Sequence, residues 1–214
     1  KLFLIDTGMG QTVQWFGDKM GRLLENLAAA GINPADIDAV LMTHLHPDHA
    51  YGLILPDGSP AFPNADVWCT ETDWAEWTNP DNLRLNGFRA PWTGGVLEAI
   101  KPYRDRIRLF TAGDTIFPGV STFSVAGHAA GMVAYLFESR GEKMIFTGDV
   151  CHHQVYDPHH PEWFFHMDYD TDPQQGADAK VAIMTGKEAE TVARLLQQAL
   201  NDTSFASAPE REAA

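Results

Sequence analysis

The feature that most constrains this chain is a cluster of metal-binding residue types, HLHPDH, at residues 44–49. It follows an apolar run at residues 39–43, which predicts a strand. Three imidazoles and one carboxylate stand within six positions, and imidazole is a leading metal ligand in proteins. A polar surface loop is the alternative, and we disfavour it because such groups rarely crowd together without a metal. The pattern therefore predicts a metal centre at the end of a strand.

The spacing inside this hexapeptide indicates where each side chain can point. A strand directs alternate side chains to the same face, so His44 and His46 can point to one place. A turn that begins at Pro47 lets Asp48 and His49 swing towards a neighbouring point. Two adjacent metal positions therefore become available.

The rest of the chain predicts one domain of the α/β class. Its 214 residues are 44% hydrophobic, which is enough for a buried core. Strands and helices alternate at first, and closely spaced strands separated by glycine or proline follow later. We therefore expect two mostly antiparallel sheets, packed face to face with helices outside. We assign this domain to residues 1–200 and a flexible tail to residues 201–214.

Two segments have no clear helical or strand period. Residues 79–95 are expected to form a turn-rich insertion, and residues 149–170, rich in histidine, proline and aromatic residues, a functional loop. Large aromatic residues gather in or beside them: Trp77, Phe88, Trp92, Trp163, Phe164 and Phe165. Those that face the metals would form an apolar mouth for a small organic substrate.

Net charge and hydropathy limit the classes of partner that the chain is expected to bind. The formal charge of −14 disfavours nucleic acid, which is bound by clustered lysine and arginine, so a small molecule is the expected partner. A second copy of the chain, in a homodimer, is an alternative partner. No run approaches the roughly 18 apolar residues that span a bilayer, so no membrane association is expected. A cytoplasmic location is favoured, and a periplasmic one stays open if a signal was removed. The two cysteines, Cys69 and Cys151, do not form a disulfide framework.

Four motifs resemble those of the metallo-β-lactamase superfamily, and they occur in its order. HLHPDH matches the HxHxDH signature, and IDTG at residues 5–8, GHAAG at 127–131 and IFTGD at 145–149 match three further motifs. The resemblance implies an αββα sandwich. The strands that usually precede the first motif are missing, as is a last histidine after the carboxyl-terminal helix. We therefore expect a fold shortened at both ends.

The resemblance also implies a dinuclear metal site with six ligands. They are His44, His46, Asp48, His49, His128 and Asp149. His44, His46 and His128 would hold one metal. Asp48 and His49 would hold the second, with Asp149 bridging both. Zinc suits these ligand types, and manganese, cobalt and iron stay open. Because the last family histidine is missing, we expect the second site to be the weaker one.

Such a site would activate water for hydrolysis, with Asp48 relaying the proton and Asp149 joining the metals. His152 is a third catalytic candidate, since it stands where related lactonases carry a tyrosine near the substrate carbonyl. Its alternative is a hydrogen bond to loop backbone. Asp6 is either a carboxylate that turns the chain at a strand end or an acceptor that orients a ligand histidine.

Within the superfamily, residues 43–49 and 148–153 look most like the branches of methyl parathion hydrolase and N-acyl-homoserine lactonase. We therefore expect a hydrolase of lactones or organophosphate esters, with aryl esters as further substrates. A thioesterase of glyoxalase II type is one alternative, although that branch typically has a histidine where this chain has Leu45. A catalytically weak metal-binding scaffold is another, and redox chemistry of flavodiiron type is a third.

Overall fold

A computed structural model describes residues 1–13, 17–152, 156–160, 163 and 170–185. It contains two four-stranded sheets. The proposed tail at residues 201–214 lies outside the described residues, as do residues 186–200 before it. None of the helices in the described ranges is long and apolar enough to cross a membrane.

The first sheet is parallel. Its strands are β1 (Phe3–Ile5), β2 (Ala39–Leu41), β3 (Asp66–Thr70) and β4 (Ile107–Phe110), in that order across the sheet. The expectation of two mostly antiparallel sheets is therefore wrong for this half of the fold. Each connection between these strands is long, and parallel neighbours need such a crossover. All four strands consequently end at the same edge.

The second sheet is antiparallel, as expected. It consists of β5 (Thr115–Phe117), β6 (Val120–Ser124), β7 (Val133–Ser139) and β8 (Glu142–Phe146), again in chain order. The turn between β7 and β8 is the pair Arg140-Gly141, in which both residues have positive φ. Such pairs close two-residue hairpins whose twist matches that of the strands.

Six α-helices are described. They are α1 (Leu23–Ala29), α2 (Pro47–Ala50), α3 (Glu71–Trp77), α4 (Arg89–Ile100), α5 (Tyr156–His159) and α6 (Pro173–Thr185). Short 3-10 turns cover Gly17–Lys19, Pro34–Asp36, Tyr51–Leu53, Pro80–Arg84, Lys101–Arg106 and Gly148–Val150. Helix α3 is capped by Thr70, whose side chain accepts from the Asp73 N–H group. Helix α6 begins at Pro173, and proline suits the first position of a helix.

Helix α4 corrects the expectation of a turn-rich insertion at residues 79–95. Its proline, Pro91, lies in the first turn, where a missing N–H group costs little. Its second glycine, Gly95, has a packing role, because a Cβ atom there would come within 2.1 Å of the Tyr51 ring. The residues that suggested turns therefore let a helix begin and approach its neighbour closely.

The two sheets pack face to face, with helices on their outer sides. Leu41 and Tyr135 belong to the cluster between the sheets, whereas Ala179 and Ile183 of α6 pack against the outer face of the second sheet. The Tyr135 hydroxyl also donates a 2.6 Å hydrogen bond to the carbonyl of Met42, which joins the sheets just beyond β2. This packing fixes the edge where the histidine-rich segment lies.

Candidate metal centre

The histidine-rich segment leaves the carboxyl end of β2 and stays buried. Strand β2 ends at Leu41, and the chain then continues without regular structure until Pro47 begins α2. His44 and His46 lie in this segment and are each 1% exposed. The imidazoles are therefore fixed inside the protein, by packing around an irregular segment rather than by the strand alternation that the sequence suggested.

Three histidines converge at this edge, and we call them the three-histidine site: His44, His46 and His128. Their ring centroids are 4.4 to 5.0 Å apart, and one nitrogen of each lies within 4.8 Å of the others. Within the described part of the chain, Nε2 of His44 and Nε2 of His46 are buried without a hydrogen-bond partner. Buried polar atoms normally have partners, so these nitrogens fit the lone pairs of metal ligands.

A second group of ligand atoms shares His44 with the first and adds His49 and Asp149. Asp149 Oδ1 lies 3.2 Å from His49 Nε2, while Asp149 Oδ2 lies 3.6 Å from His128 Nε2. One oxygen thus faces each side of the site. Asp149 therefore lies between His49 and His128.

Asp48 lies at the rim. Its side chain is 48% exposed, and its Oδ2 is 3.8 Å from His49 Nε2. Among the described residues, the groups of ligand atoms within 4.8 Å of one another do not include it. Its position leaves it accessible to solvent, which suits a group that exchanges protons.

His152 lies beside Asp149 and His128, with its Nε2 atom 3.8 Å from Asp149 Oδ2. Burial and the neighbouring His128 lower the pKa of His152. Its backbone N–H donates to Asp157, whose carboxylate also accepts a 2.8 Å bond from the buried Lys180. The side chain therefore faces the site from a backbone that is firmly anchored.

Asp6 combines the two roles that the sequence left open for it. Its Oδ1 accepts from the Thr43 N–H group at 2.7 Å, and its Oδ2 accepts from the Thr43 hydroxyl at 2.7 Å and from His49 Nδ1 at 2.9 Å. Its φ of 53° turns the chain at the end of β1. The same carboxylate thus turns the chain and orients His49.

Two further carboxylates support the site, and the sequence motifs did not single them out. Asp73 is fully buried on α3 and accepts from the Leu45 N–H group at 2.5 Å, between His44 and His46. Burial raises the pKa of Asp73 to about 8. Thr70 and Asp73 match the Thr-x-x-Asp capping pattern, which could have drawn attention to this residue. Asp170 accepts from His128 Nδ1 at 2.7 Å, and no local pattern marks it.

The two sides of the site differ in electrostatics. Burial, with the neighbouring histidines, holds the pKa values of His44 and His46 well below the usual range, so both imidazoles are neutral at pH 7. Burial alone would also lower the pKa of His49. Hydrogen bonds to Asp149 and Asp6 outweigh burial and raise the pKa of His49 to about 11. Burial would raise the pKa of Asp149, yet His49 holds it at about 2. A metal on the His49 side must therefore displace a proton.

Aromatic rings flank the three-histidine site. The rings of Trp77 and Trp92 lie with their centroids 5.0 and 5.1 Å from the ring of His46. Phe88 extends this group, with its ring centroid 4.6 Å from Trp92. One side of the site is therefore an apolar wall. Of the other aromatic residues noted in the sequence, Trp163 is half exposed, and Phe164 and Phe165 lie outside the described residues.

Several solved structures are similar to this chain, and their names describe hydrolases. The chain is 31% identical to the hydrolase AbOPH of the beta-lactamase superfamily, with a TM-score of 0.75 over 85% of this chain and 62% of that one. It is 26% identical to AidC, a dizinc quorum-quenching lactonase, with a TM-score of 0.74 over 86% and 63% of the two chains. A probable metal-dependent hydrolase from Staphylococcus aureus is 29% identical, with a TM-score of 0.68 over 83% and 63%.

The chain thus spans somewhat more than three fifths of the length of each of these proteins. The family model described as the metallo-beta-lactamase superfamily matches residues 1–194, a range that includes β1, the histidine-rich segment, His128 and Asp149. The αββα architecture and the clustered ligands are in accord with that match. The chain belongs to the metallo-beta-lactamase superfamily.

Proposed function

We propose that this chain forms the metal centre of a hydrolase that cleaves a small ester-like bond, either a lactone or an organophosphate ester. Aryl esters are further substrates. The observation that carries the proposal is the three-histidine site with Asp149 beside it, all brought together from three separate parts of the chain. Membership of the superfamily and the names of its similar structures support the same chemistry.

Zinc is the metal we propose, with manganese, cobalt or iron as alternatives. His44, His46 and His128 would hold the first ion. His49 and Asp48 would hold the second, and Asp149 would lie between the two. When bound, such ions supply Lewis-acid activation of water and of the carbonyl or phosphoryl group.

The chain's own residues have distinct parts in the reaction. Asp149 is ionised at neutral pH, because its pKa is held at about 2, and it can orient a water molecule from the centre of the site. Asp48 is solvent-exposed at the rim and can carry a proton away. His152 faces the same space and can donate a hydrogen bond to the leaving oxygen or to the developing oxyanion.

The thiols of the chain support water, rather than cysteine, as the nucleophile. Burial raises the pKa of Cys69, which lies inside the core, and also raises the pKa of Cys151. A reactive cysteine needs the opposite shift, because the thiolate is the nucleophilic form. Neither thiol is therefore set up for covalent catalysis.

The half-buried rings of Trp92 and Phe88, behind which the fully buried Trp77 packs, argue for a substrate with an acyl chain or an aryl group. Aromatic side chains bury large apolar areas with little loss of side-chain freedom, so they suit neutral organic esters. A strongly charged substrate would gain little from this wall.

The test combines metal analysis with a substrate panel. Purified chain is analysed for bound metal and assayed with lactones, phosphotriesters, aryl esters and thioesters, alongside His128→Ala and His159→Ala. We expect metal-dependent hydrolysis of a lactone or phosphotriester, lost in His128→Ala. His159 is exposed and outside the ligand groups, so His159→Ala is the matched control and should keep both metal and activity.

Two results would contradict the proposal. One is full activity in His128→Ala, since that variant lacks one of three ligands. The other is a metal-loaded chain that hydrolyses no member of the panel, which would favour a metal-binding scaffold. Turnover of thioesters alone would assign the chain to the thioesterase branch instead.

A further inference from the structure

His128 is held by residues that come much later in the chain. The N–H group of Thr171 donates to the carbonyl of His128 at 3.1 Å, and the N–H group of Asp172 donates to the carbonyl of Gly127 at 2.8 Å. These backbone bonds fix the loop that carries the histidine. The segment at residues 170–176 therefore acts as a brace for one ligand of the three-histidine site.

Close packing makes this brace rigid. Gly127 has a φ of +139°, and a Cβ atom there would come within 2.1 Å of the Gly176 nitrogen. Gly176 lies in the first turn of α6, where its N–H group donates to the carbonyl of Asp172. The loop and the start of the helix thus touch through their backbones, which leaves little room for the loop to shift.

The side chain of His128 is fixed from the same segment. Its Nδ1 atom lies 2.7 Å from Asp170 Oδ1, and the two side chains are only 5% and 9% exposed. A carboxylate accepts hydrogen bonds, so a proton of the imidazole lies on Nδ1. Nε2 is then the ring atom left to bind a metal together with His44 and His46, whose ligand atoms lie within 4.8 Å of that of His128.

We propose that Asp170 is a positioning residue for the metal, which sets the tautomer and the ring orientation of His128. This inference rests on the metal site of the proposed function and is independent of its substrate. Partners of this kind commonly change metal affinity by about 10- to 100-fold when they are removed. A residue that only stabilised the loop would leave the metal's coordination unchanged.

The experiment measures metal binding rather than catalysis, so its failure is distinguishable from a failure of the substrate proposal. Metal-depleted Asp170→Asn is titrated with zinc against a chromophoric chelator and with cobalt, whose visible absorption reports the coordination. We expect zinc affinity at the tighter site to fall at least tenfold, with altered cobalt bands. Asp172→Asn is the control, because it makes the same charge change two residues away and asparagine is an equally good helix cap. It should match the wild-type chain.

A second measurement needs no variant, in case Asp170→Asn folds poorly. Nitrogen NMR of the metal-depleted wild-type chain should show the proton of His128 on Nδ1, where no bound metal can fix it there. Wild-type affinity and wild-type cobalt bands in a folded Asp170→Asn variant would overturn the proposal. So would a His128 ring that carries its proton on Nε2.

Discussion

Replacing Asp6 by asparagine should destabilise the chain by removing hydrogen-bond acceptors and a negative charge beside His49. Asparagine has the same shape and tolerates the positive φ of 53° at this position. The aspartate carboxylate accepts three hydrogen bonds, two from Thr43 and one from His49. An amide keeps one oxygen and turns the other into a donor. With its nitrogen at the Oδ1 position the amide would face the Thr43 N–H group, and with its nitrogen at the Oδ2 position it would face His49 Nδ1, which is a donor while His49 is protonated.

The size of the effect follows from this count. A hydrogen bond to a charged group contributes about 1.5–3 kcal/mol, and at least one is lost. We expect the free energy of unfolding of the metal-free chain to fall by about 2–4 kcal/mol, which lowers Tm by roughly 5–15 °C for a chain of this size. The pKa of His49 should also fall, because Asp6 is one of the two carboxylates that raise it.

Asp38→Asn is the matched control for urea or thermal unfolding. Its carboxylate also joins β1 to β2, by accepting a 2.7 Å bond from the Leu2 N–H group, but it is exposed and the asparagine oxygen can replace it. We expect a change below about 1 kcal/mol there. Equal losses in the two variants, or an unchanged pKa of His49 by NMR titration, would refute the role assigned to Asp6.

Three further substitutions test other parts of the account. Asp149→Ala should abolish hydrolysis and reduce metal content. A variant with the wild-type rate and metal content would show that Asp149 is only a carboxylate at the end of a strand. Burial raises the pKa of Asp73 to about 8, so the metal-free wild-type chain should lose stability as pH rises from about 4 through 8. The Asp73→Asn variant has no carboxyl group to ionise at this position. Its free energy of unfolding should therefore differ less between pH 5 and pH 8 than that of the wild type. Gly127→Ala should cost at least about 2 kcal/mol, measured as a lower Tm, because its Cβ atom would overlap the backbone of Gly176.

The sequence identified most of the residues that cluster at the site because they lie in short motifs. HLHPDH places four candidate ligands in one segment, and the order of the other motifs identified His128 and Asp149 as the residues that would meet them. The structure brings His44, His46, His49, His128 and Asp149 together, and it leaves Asp48 at the rim. Their roles as ligands stay predictions until a metal is measured.

The supporting carboxylates were harder to predict because their partners are distant in the chain. Asp170 meets His128 across 42 positions, and Asp73 meets Leu45 across 28. Only the folded chain makes those pairs adjacent. The parallel arrangement of the first sheet was missed for a related reason, since strand direction depends on long crossovers. Helix α4 was missed because Gly95, which suggests a turn, is required instead by the ring of Tyr51.

The central claim is that His44, His46 and His128 form the tighter metal site and that His49 and Asp48 form the weaker one, with Asp149 between the two. The most direct test is a zinc titration of the metal-depleted chain against a chelator at pH 7 and pH 8, for the wild type and for His46→Ala. Neutral His44 and His46 should give one tight equivalent that changes little with pH. The second equivalent must displace a proton from His49, whose pKa is about 11, so it should be weaker and tighten about tenfold per pH unit. His46→Ala should lose the tight equivalent. Two equally tight equivalents in the wild type, or an undiminished tight equivalent in His46→Ala, would contradict the account.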